Sequence, residues 1–230
     1  MKKGFLTELH CHTADNSSCA RWESEELVDY YARAGFDCVV ITNHYCCGAF
    51  DGSFRIKPEW SWGEKVEYYL SSVKRAKSRA AQYGMQVLHG MEIRFLHQWE
   101  ELLVYGWQED FLLANPLLWE MSFEEFRALA DREKLFVAQS HPFRPPSTPI
   151  HPVYMHGAEI YNAHMVEVND NEKAKEYAET NGLIMIAGSD AHDASDGAKT
   201  GVWLPERPQD EKHLAEMLFK RPEIYIKGID

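Results

Sequence analysis

The chain has 230 residues, enough to bury a full core, with 45% apolar and 26% charged residues and a formal net charge of −12. This balance excludes long disorder and argues against nucleic acid or an anionic membrane as the main partner, since both demand surplus Lys and Arg. A small phosphorylated substrate stays compatible, because a bound metal and a few arginines can make a cationic pocket on an acidic protein.

The lead Met1-Lys2-Lys3-Gly4-Phe5-Leu6 is basic but runs at once into charged and histidine residues. It has no apolar core for a signal peptide, and no apolar run is long enough to span a bilayer, so the cytoplasm is the expected location. Phe5–Leu9 reads as a strand. Directly after it, Glu8-Leu9-His10-Cys11-His12-Thr13 carries a His-x-His pair, and in extended backbone residues two apart share a face. Two imidazoles aimed at one point can hold a divalent metal. Cys11 should point away as a small core residue. With Cys19, Cys38, Cys46 and Cys47 it makes five cysteines, an odd number confined to the first fifth of the chain, which fits reduced thiols better than disulfides.

Glu25–Ala34 reads as an amphipathic helix entered through Ser24 and ended by Gly35. Cys38–Thr42 is a β-branched run with the pattern of a buried strand, ending at Asn43-His44. Tyr45 to Trp62 reads as a long loop. Lys65–Tyr83 reads as a helix closed by Gly84, followed by a strand over Gln86–His89 that ends in Gly90-Met91-Glu92. Glu101–Gly106 is a further strand, and Ser122–Glu133 a helix with Ser122 and Glu125 as a capping box. Phe136–Gln139 ends at Ser140-His141-Pro142, before a proline- and histidine-rich loop to Gly157. Then come a strand (Ala158–Tyr161), a helix (Glu172–Thr180) and a strand (Leu183–Ala187) ending in Gly188-Ser189-Asp190-Ala191-His192. Shorter strands at Thr200–Leu204 and Ile224–Ile226 flank a helix at Asp210–Phe219.

Repeated strand-then-helix order implies a parallel sheet, and about seven such units favour a barrel over an open sheet, in one domain spanning 1–230. The metal-competent residues recur at one place, the C-terminal ends of these strands: His10 and His12, His44, Glu92, His141, and Asp190 with His192. Taken singly, each has a bland reading as a turn, core or loop residue. In a parallel barrel, however, those ends converge on one mouth, where active sites sit.

The ordered set His10-Cys11-His12-Thr13, Thr42-Asn43-His44, Gly90-Met91-Glu92, Ser140-His141-Pro142 and Gly188-Ser189-Asp190-Ala191-His192 resembles the polymerase and histidinol phosphatase (PHP) family of metal-dependent phosphoesterases. The resemblance runs from about residue 6 to 192 and implies an α/β fold, a distorted (β/α)7 TIM-like barrel with two or three metals at the C-terminal strand ends. It implies that His10, His12, Glu92 and Asp190 hold one metal, that Glu92 bridges to a second bound by His141, and that His44 and His192 serve a third. Two departures stand out. The family often has an acidic or histidine ligand soon after the first motif, within Ser-Asp-Gly; here Asp15 is the candidate substitute. It also often places a histidine before a Leu-Leu-x-Tyr strand, where this chain has Glu101, with His97 in the preceding loop as an alternative.

Metal-assisted hydrolysis of a phosphoester follows as the expected activity, with Glu92, Asp190 and Arg144 as catalytic residues and a metal-activated hydroxide as nucleophile. Arg144 is spaced to fork onto a phosphate, and Arg21 and Arg94 are weaker candidates. Mixed histidine and carboxylate ligation suits zinc, manganese or iron better than magnesium. His151, His156 and His164 read as surface or supporting residues. The expected partner is a small phosphorylated substrate, with nucleic acid only as short or nucleotide-like pieces. Two other readings are an amidohydrolase-like hydrolase, which would need a mid-chain lysine after a comparable strand, and a PHP module that binds metal for structure or regulation.

Overall fold

The computed structural model describes residues 4–228; the basic lead Met1–Lys3 lies outside them. β1 (Phe5–Cys11) is buried over almost its whole length and is followed by α1 (Ser24–Arg33). The cap of α1 differs from expectation: Ser24 is the first helical residue, and the Glu23 amide donates to the Glu26 carboxylate. Gly35, at φ +86°, then turns the chain out of the helix, a conformation that favours glycine. β2 (Cys38–Ile41) is buried at every residue, as its unbroken apolar run requires. The expected long loop is partly structured, with β3 (His44–Tyr45) and the one-turn α2 (Cys47–Phe50), before α3 (Trp62–Ala80) starts at a Ser61–Glu64 capping box.

β4 (Gln86–His89) and β5 (Met91–Arg94) are separated only by Gly90. β6 (Glu101–Tyr105) leads through α4 (Glu109–Ala114) to α5 (Phe123–Glu133), capped by Ser122 with Glu125 as expected. β7 (Phe136–Gln139), β8 (Gly157–Asn162), the short α6 (Val166–Asn169), α7 (Asn171–Thr180) and β9 (Ile184–Gly188) follow. The chain closes with β10 (Thr200–Leu204), α8 (Glu211–Leu218), whose first turn is capped by Asp210, and β11 (Glu223–Ile226).

The strands form two sheets, in the orders β11-β10-β1-β2-β4 and β3-β5-β6-β7-β8-β9. The expected all-parallel order holds only in part. β1, β2 and β4 are mutually parallel, as are β7, β8 and β9, but β6 runs antiparallel to β5 and β7, and β10 antiparallel to β1 and β11. The reason at β5–β6 is the connection, which contains no helix; a short link reverses the chain, whereas parallel neighbours need a crossover. A parallel bridge between Cys11 and Ala191 joins the ends of β1 and β9 across the two sheets. Leu9, Val40, Leu88, Leu103, Ala138 and Ile186 pack into one buried cluster, so strands of both sheets share a core. Among the described residues, no helix is long and apolar enough to cross a membrane.

Two irregularities in strand pairing position the polar residues. The register of β1 on β2 shifts between Glu8 and Cys11, and that of β8 on β9 between Glu159 and Tyr161. Such bulges re-aim side chains, and they fall beside His10 and Glu159.

Candidate metal centre

His10 lies within β1, and His12 follows just beyond it. Both rings are fully buried, and their Nε2 atoms lie 3.2 Å apart. Asp190 Oδ1 is 3.3 Å from His10 Nε2 and 3.2 Å from His12 Nε2. Glu92, from β5, divides its two oxygens. Oε1 faces His10 Nε2 at 3.3 Å and His141 Nε2 at 3.2 Å, while Oε2 faces His12 Nε2 at 3.3 Å and His44 Nδ1 at 3.1 Å. Glu101 stands 3.6 Å from His141 and 3.8 Å from His44. His192 stacks on His12 with ring centroids 4.8 Å apart. The seven strand-end residues named from the sequence therefore meet, with Glu101 as an eighth.

Strained backbone helps to deliver two of them. His141 has φ +28° and Asp190 φ +51°, in the left-handed region that ordinary residues enter only when their surroundings compel it. Gly188, just before, lets β9 approach β1: a Cβ there would lie 2.3 Å from the His10 Cβ.

Several supporting residues had no signal in the motifs. Glu159, buried in β8, faces His10 Nδ1 at 2.9 Å and accepts from the His141 amide and the Asn162 side chain. Glu8 accepts from the amides of His10 and Ser189 and from the Tyr31 hydroxyl. Asn43 bonds Thr13, Ser17 and Ser72, locking the first motif to the end of β2. A single charged residue inside the otherwise uncharged Gly157–Asn162 strand is the one sequence cue to Glu159.

Two expected residues are engaged differently. Asp15 accepts from the Ser24 amide and pairs with Arg75 of α3, so its carboxylate secures the start of α1. Arg144, expected to face a phosphate, instead donates to Asp190 Oδ2 at 2.7 Å and to the side chains of Asn162 and Asn169. Two uncharged, buried amides and a buried carboxylate capture its planar fork before any substrate can. The other candidates lie outside the cluster. His97 is exposed, His151 caps the Val153 amide, His156 pairs with Asp131, and Arg21 with Asp193. His164 packs its ring 4.6 Å from that of His192 and sits 3.0 Å from Asp196. Cys11 is a buried core thiol, and among the described residues all five cysteines are free.

The buried imidazoles and carboxylates shift one another's protonation. Burial alone would push the His10 imidazole down, but Asp190, Glu159 and Glu92 hold it well above the usual histidine range. Burial works against ionised Glu92 and Asp190, yet His10 and the other partners hold both well below the carboxylate range. Glu101 is pushed up by burial and by neighbouring Glu92. His44 is raised well above its ordinary value against burial, chiefly through Cys19 and Glu92. Cys19 is lowered to about 5, because hydrogen bonds to His192 and His44 outweigh burial. Buried carboxylates in this number require positive charge beside them.

The donor set fits a divalent metal. Ligands each about 2.0–2.1 Å from one tetrahedral ion lie about 3.3 Å from each other, and the His10, His12, Glu92 and Asp190 donor atoms are spaced 3.2–3.3 Å apart. The Nδ1 atoms of His12 and His141 are buried without a partner. Three donors, one each from His10, His12 and Glu92, lie within 4.8 Å of one another, as do those of His44, Glu92 and Glu101 and those of His12, His44 and His192.

A family model described as PHP-associated matches residues 168–218, the stretch that carries Asp190 and His192. The fold is similar to a two-domain protein containing a PHP-like metal-dependent phosphoesterase from Bacteroides vulgatus, at 18% identity and TM-score 0.67 over 96% of this chain. At this identity the likeness is one of fold. It spans 64% of the length of that Bacteroides protein. The chain is also similar to a lesion-specific endonuclease from Pyrococcus furiosus (10% identity, TM-score 0.63, 96% of this chain and 57% of that one). An amidohydrolase from Chromobacterium violaceum, solved with sulfate and no metal, matches at 14% identity and TM-score 0.57 over 96% and 98% of the two chains. No curated protein matches the sequence.

Proposed function

We propose that this chain hydrolyses a phosphoester with the help of two or three divalent ions, zinc, manganese or iron. The observation that carries this reading is Glu92, whose two oxygens each face two imidazoles. A carboxylate so placed would be shared between neighbouring ions. Residues 1–230 form one unit of a distorted (β/α)7 barrel and work in the cytoplasm. His10, His12, Glu92 and Asp190 hold one ion, Glu92 and His141 a second with Glu101 beside it, and His44 and His192 a third.

When bound, the ions acidify a water so that hydroxide is available near neutral pH, and they offset charge on the phosphate. The protein supplies orientation. Glu159 fixes His10 with Nδ1 protonated, so that Nε2 is presented as the ligand atom. Arg144 fixes Asp190 and is a positioning residue. Beside His44 lies a cavity of ≈ 310 Å³ lined by Ser17, Cys19, Cys46, Phe54 and Arg94, large enough for a small phosphorylated substrate. Arg94, with a 43% exposed side chain, is the cation that lines it and takes the phosphate-binding role first considered for Arg144.

The test is hydrolysis of an aryl phosphate with added manganese or zinc, in the parent chain and in the His10→Ala, His12→Ala double variant. The parent should turn over, and the variant should lose bound metal and activity while keeping its circular dichroism spectrum. Full activity in the variant would show the site to be elsewhere. Bound metal without turnover on any divalent ion would favour the metal-binding module.

A further inference from the structure

Cys19 lies in the loop between β1 and α1, and that loop is pinned on both sides of it. The Ser17 hydroxyl accepts from the His44 amide at 3.2 Å, and the Arg21 amide donates to the His192 carbonyl at 2.8 Å. The two tethers end on the residues whose rings flank the thiol. Cys19 Sγ stands 3.4 Å from His44 Nε2, with the His192 side chain also near it.

Both rings have their tautomers fixed by what lies behind them. His44 Nδ1 faces Glu92 Oε2 at 3.1 Å, so it carries the proton and leaves Nε2 as a lone pair. His192 Nδ1 faces the Asp190 carbonyl at 2.8 Å, an acceptor only, so here too Nδ1 is protonated and Nε2 is free to ligate. Metal-bound histidines are backed in this way by a carboxylate or a carbonyl. An Nε2 at about 2.0–2.1 Å and a thiolate sulfur at about 2.3 Å from one tetrahedral ion lie about 3.6 Å apart, close to the observed 3.4 Å. The buried His12 ring packs against both partners, with centroids 4.5 Å from His44 and 4.8 Å from His192.

We propose that Cys19 is a thiolate ligand which, with His44 and His192, forms a Cys-His-His position at the outer end of the cluster, selective for thiophilic ions such as zinc, cobalt or cadmium over magnesium and manganese. The inference rests on the reading of the cluster as a metal centre. On ligation the Sγ–H bond breaks, the proton leaves to solvent, and the sulfur lone pair binds the ion. Soft sulfur raises affinity for zinc-like ions and offers little to hard oxygen-seeking ones. The exposed position of Cys19 places the bound ion at the wall of the substrate cavity.

Titration of the metal-free chain with cobalt(II), read by absorption and elemental analysis, tests this. The expected result is visible d–d bands together with a near-ultraviolet thiolate-to-cobalt charge-transfer band. In Cys19→Ser the charge-transfer band should vanish and one cobalt per chain should be lost, with the remaining d–d bands retained. A Cys46→Ser, Cys47→Ser variant should keep the band. Zinc should protect Cys19, located by peptide mass mapping, from alkylation by iodoacetamide. Cobalt binding with d–d bands but no charge-transfer band in the parent would overturn the proposal and leave the metal centre standing. So would a band that survives Cys19→Ser. No cobalt binding at all in the parent would overturn both.

Discussion

Two clusters of histidine and carboxylate lie close together in the chain and differ in one respect. His89, at the end of β4, faces Glu211 Oε1 at 3.0 Å through Nδ1 and the Trp107 carbonyl at 3.1 Å through Nε2, and Lys77 completes Glu211 at 2.9 Å. Every nitrogen and the charged oxygen have a complementary partner. Three residues further on, Glu92 belongs to a group in which imidazole nitrogen faces imidazole nitrogen and carboxylates crowd the same point. The first cluster is closed and serves structure. The second leaves the Nδ1 atoms of His12 and His141 without partners and groups donor atoms that could hold a metal ion. Residue type does not separate them; the match between donors and acceptors does.

The contrast can be broken most sharply at Glu159. Glu159→Gln keeps the volume but removes the charge behind His10, and metal affinity should fall about 10–100-fold, the usual effect of losing such a supporting carboxylate. Competition with a chromophoric chelator measures this, and unchanged affinity would remove Glu159 from the site. Next in size is Gly188→Ala. Its Cβ would stand 2.3 Å from the His10 Cβ and 2.8 Å from Glu159 Oε1. Forcing β1 and β9 apart should cost about 1–3 kcal/mol in urea denaturation, with weakened metal binding beside it; a variant as stable as the parent would contradict the close approach.

The smallest effect belongs to the closed cluster. Burial would raise Glu211, but His89 and then Lys77 hold it at about 2 against an ordinary 4.5. Its folded-state value is depressed, so its stabilisation is present above pH 4.5 and is lost as pH falls toward 2. Glu211→Gln should therefore lower the melting temperature at pH 6 and flatten its fall between pH 4.5 and 2, with metal content unchanged. Loss of metal in this variant would mean that the two clusters are not independent.

Much of the site was legible because its residues come in local patterns. His10 and His12, like Asp190 and His192, are spaced two apart at strand ends, where periodicity alone pairs them. His44, Glu92 and His141 each follow soon after a buried apolar run, and that position is readable residue by residue, although His44 opens β3 and Glu92 lies within β5. Asp15 and Arg144 have partners that local reading does not show. Asp15 has the right chemistry near the first motif, but Arg75, sixty residues away, and the start of α1 take its carboxylate. Arg144 follows His141 at a spacing suited to phosphate, yet Asn162, Asn169 and Asp190 close around it. Neither partner set is visible from the flanking sequence.

The fold divides in the same way. The helix start at Ser122, the helix stop at Gly35 and the buried β2 follow from a few adjacent residues, because caps and apolar runs act within one turn or one strand. Strand direction does not, since β6 and β10 take theirs from which neighbour they meet.

By itself, the sequence determined the types of the candidate ligands and their order along the chain, because backbone period and residue chemistry are local properties. The tertiary structure alone decided that Glu92 shares its oxygens among four imidazoles, that Glu159 backs His10, and that Cys19 meets His44 and His192. Those contacts depend on bulges, on left-handed turns at His141 and Asp190, and on the register of strands far apart in sequence.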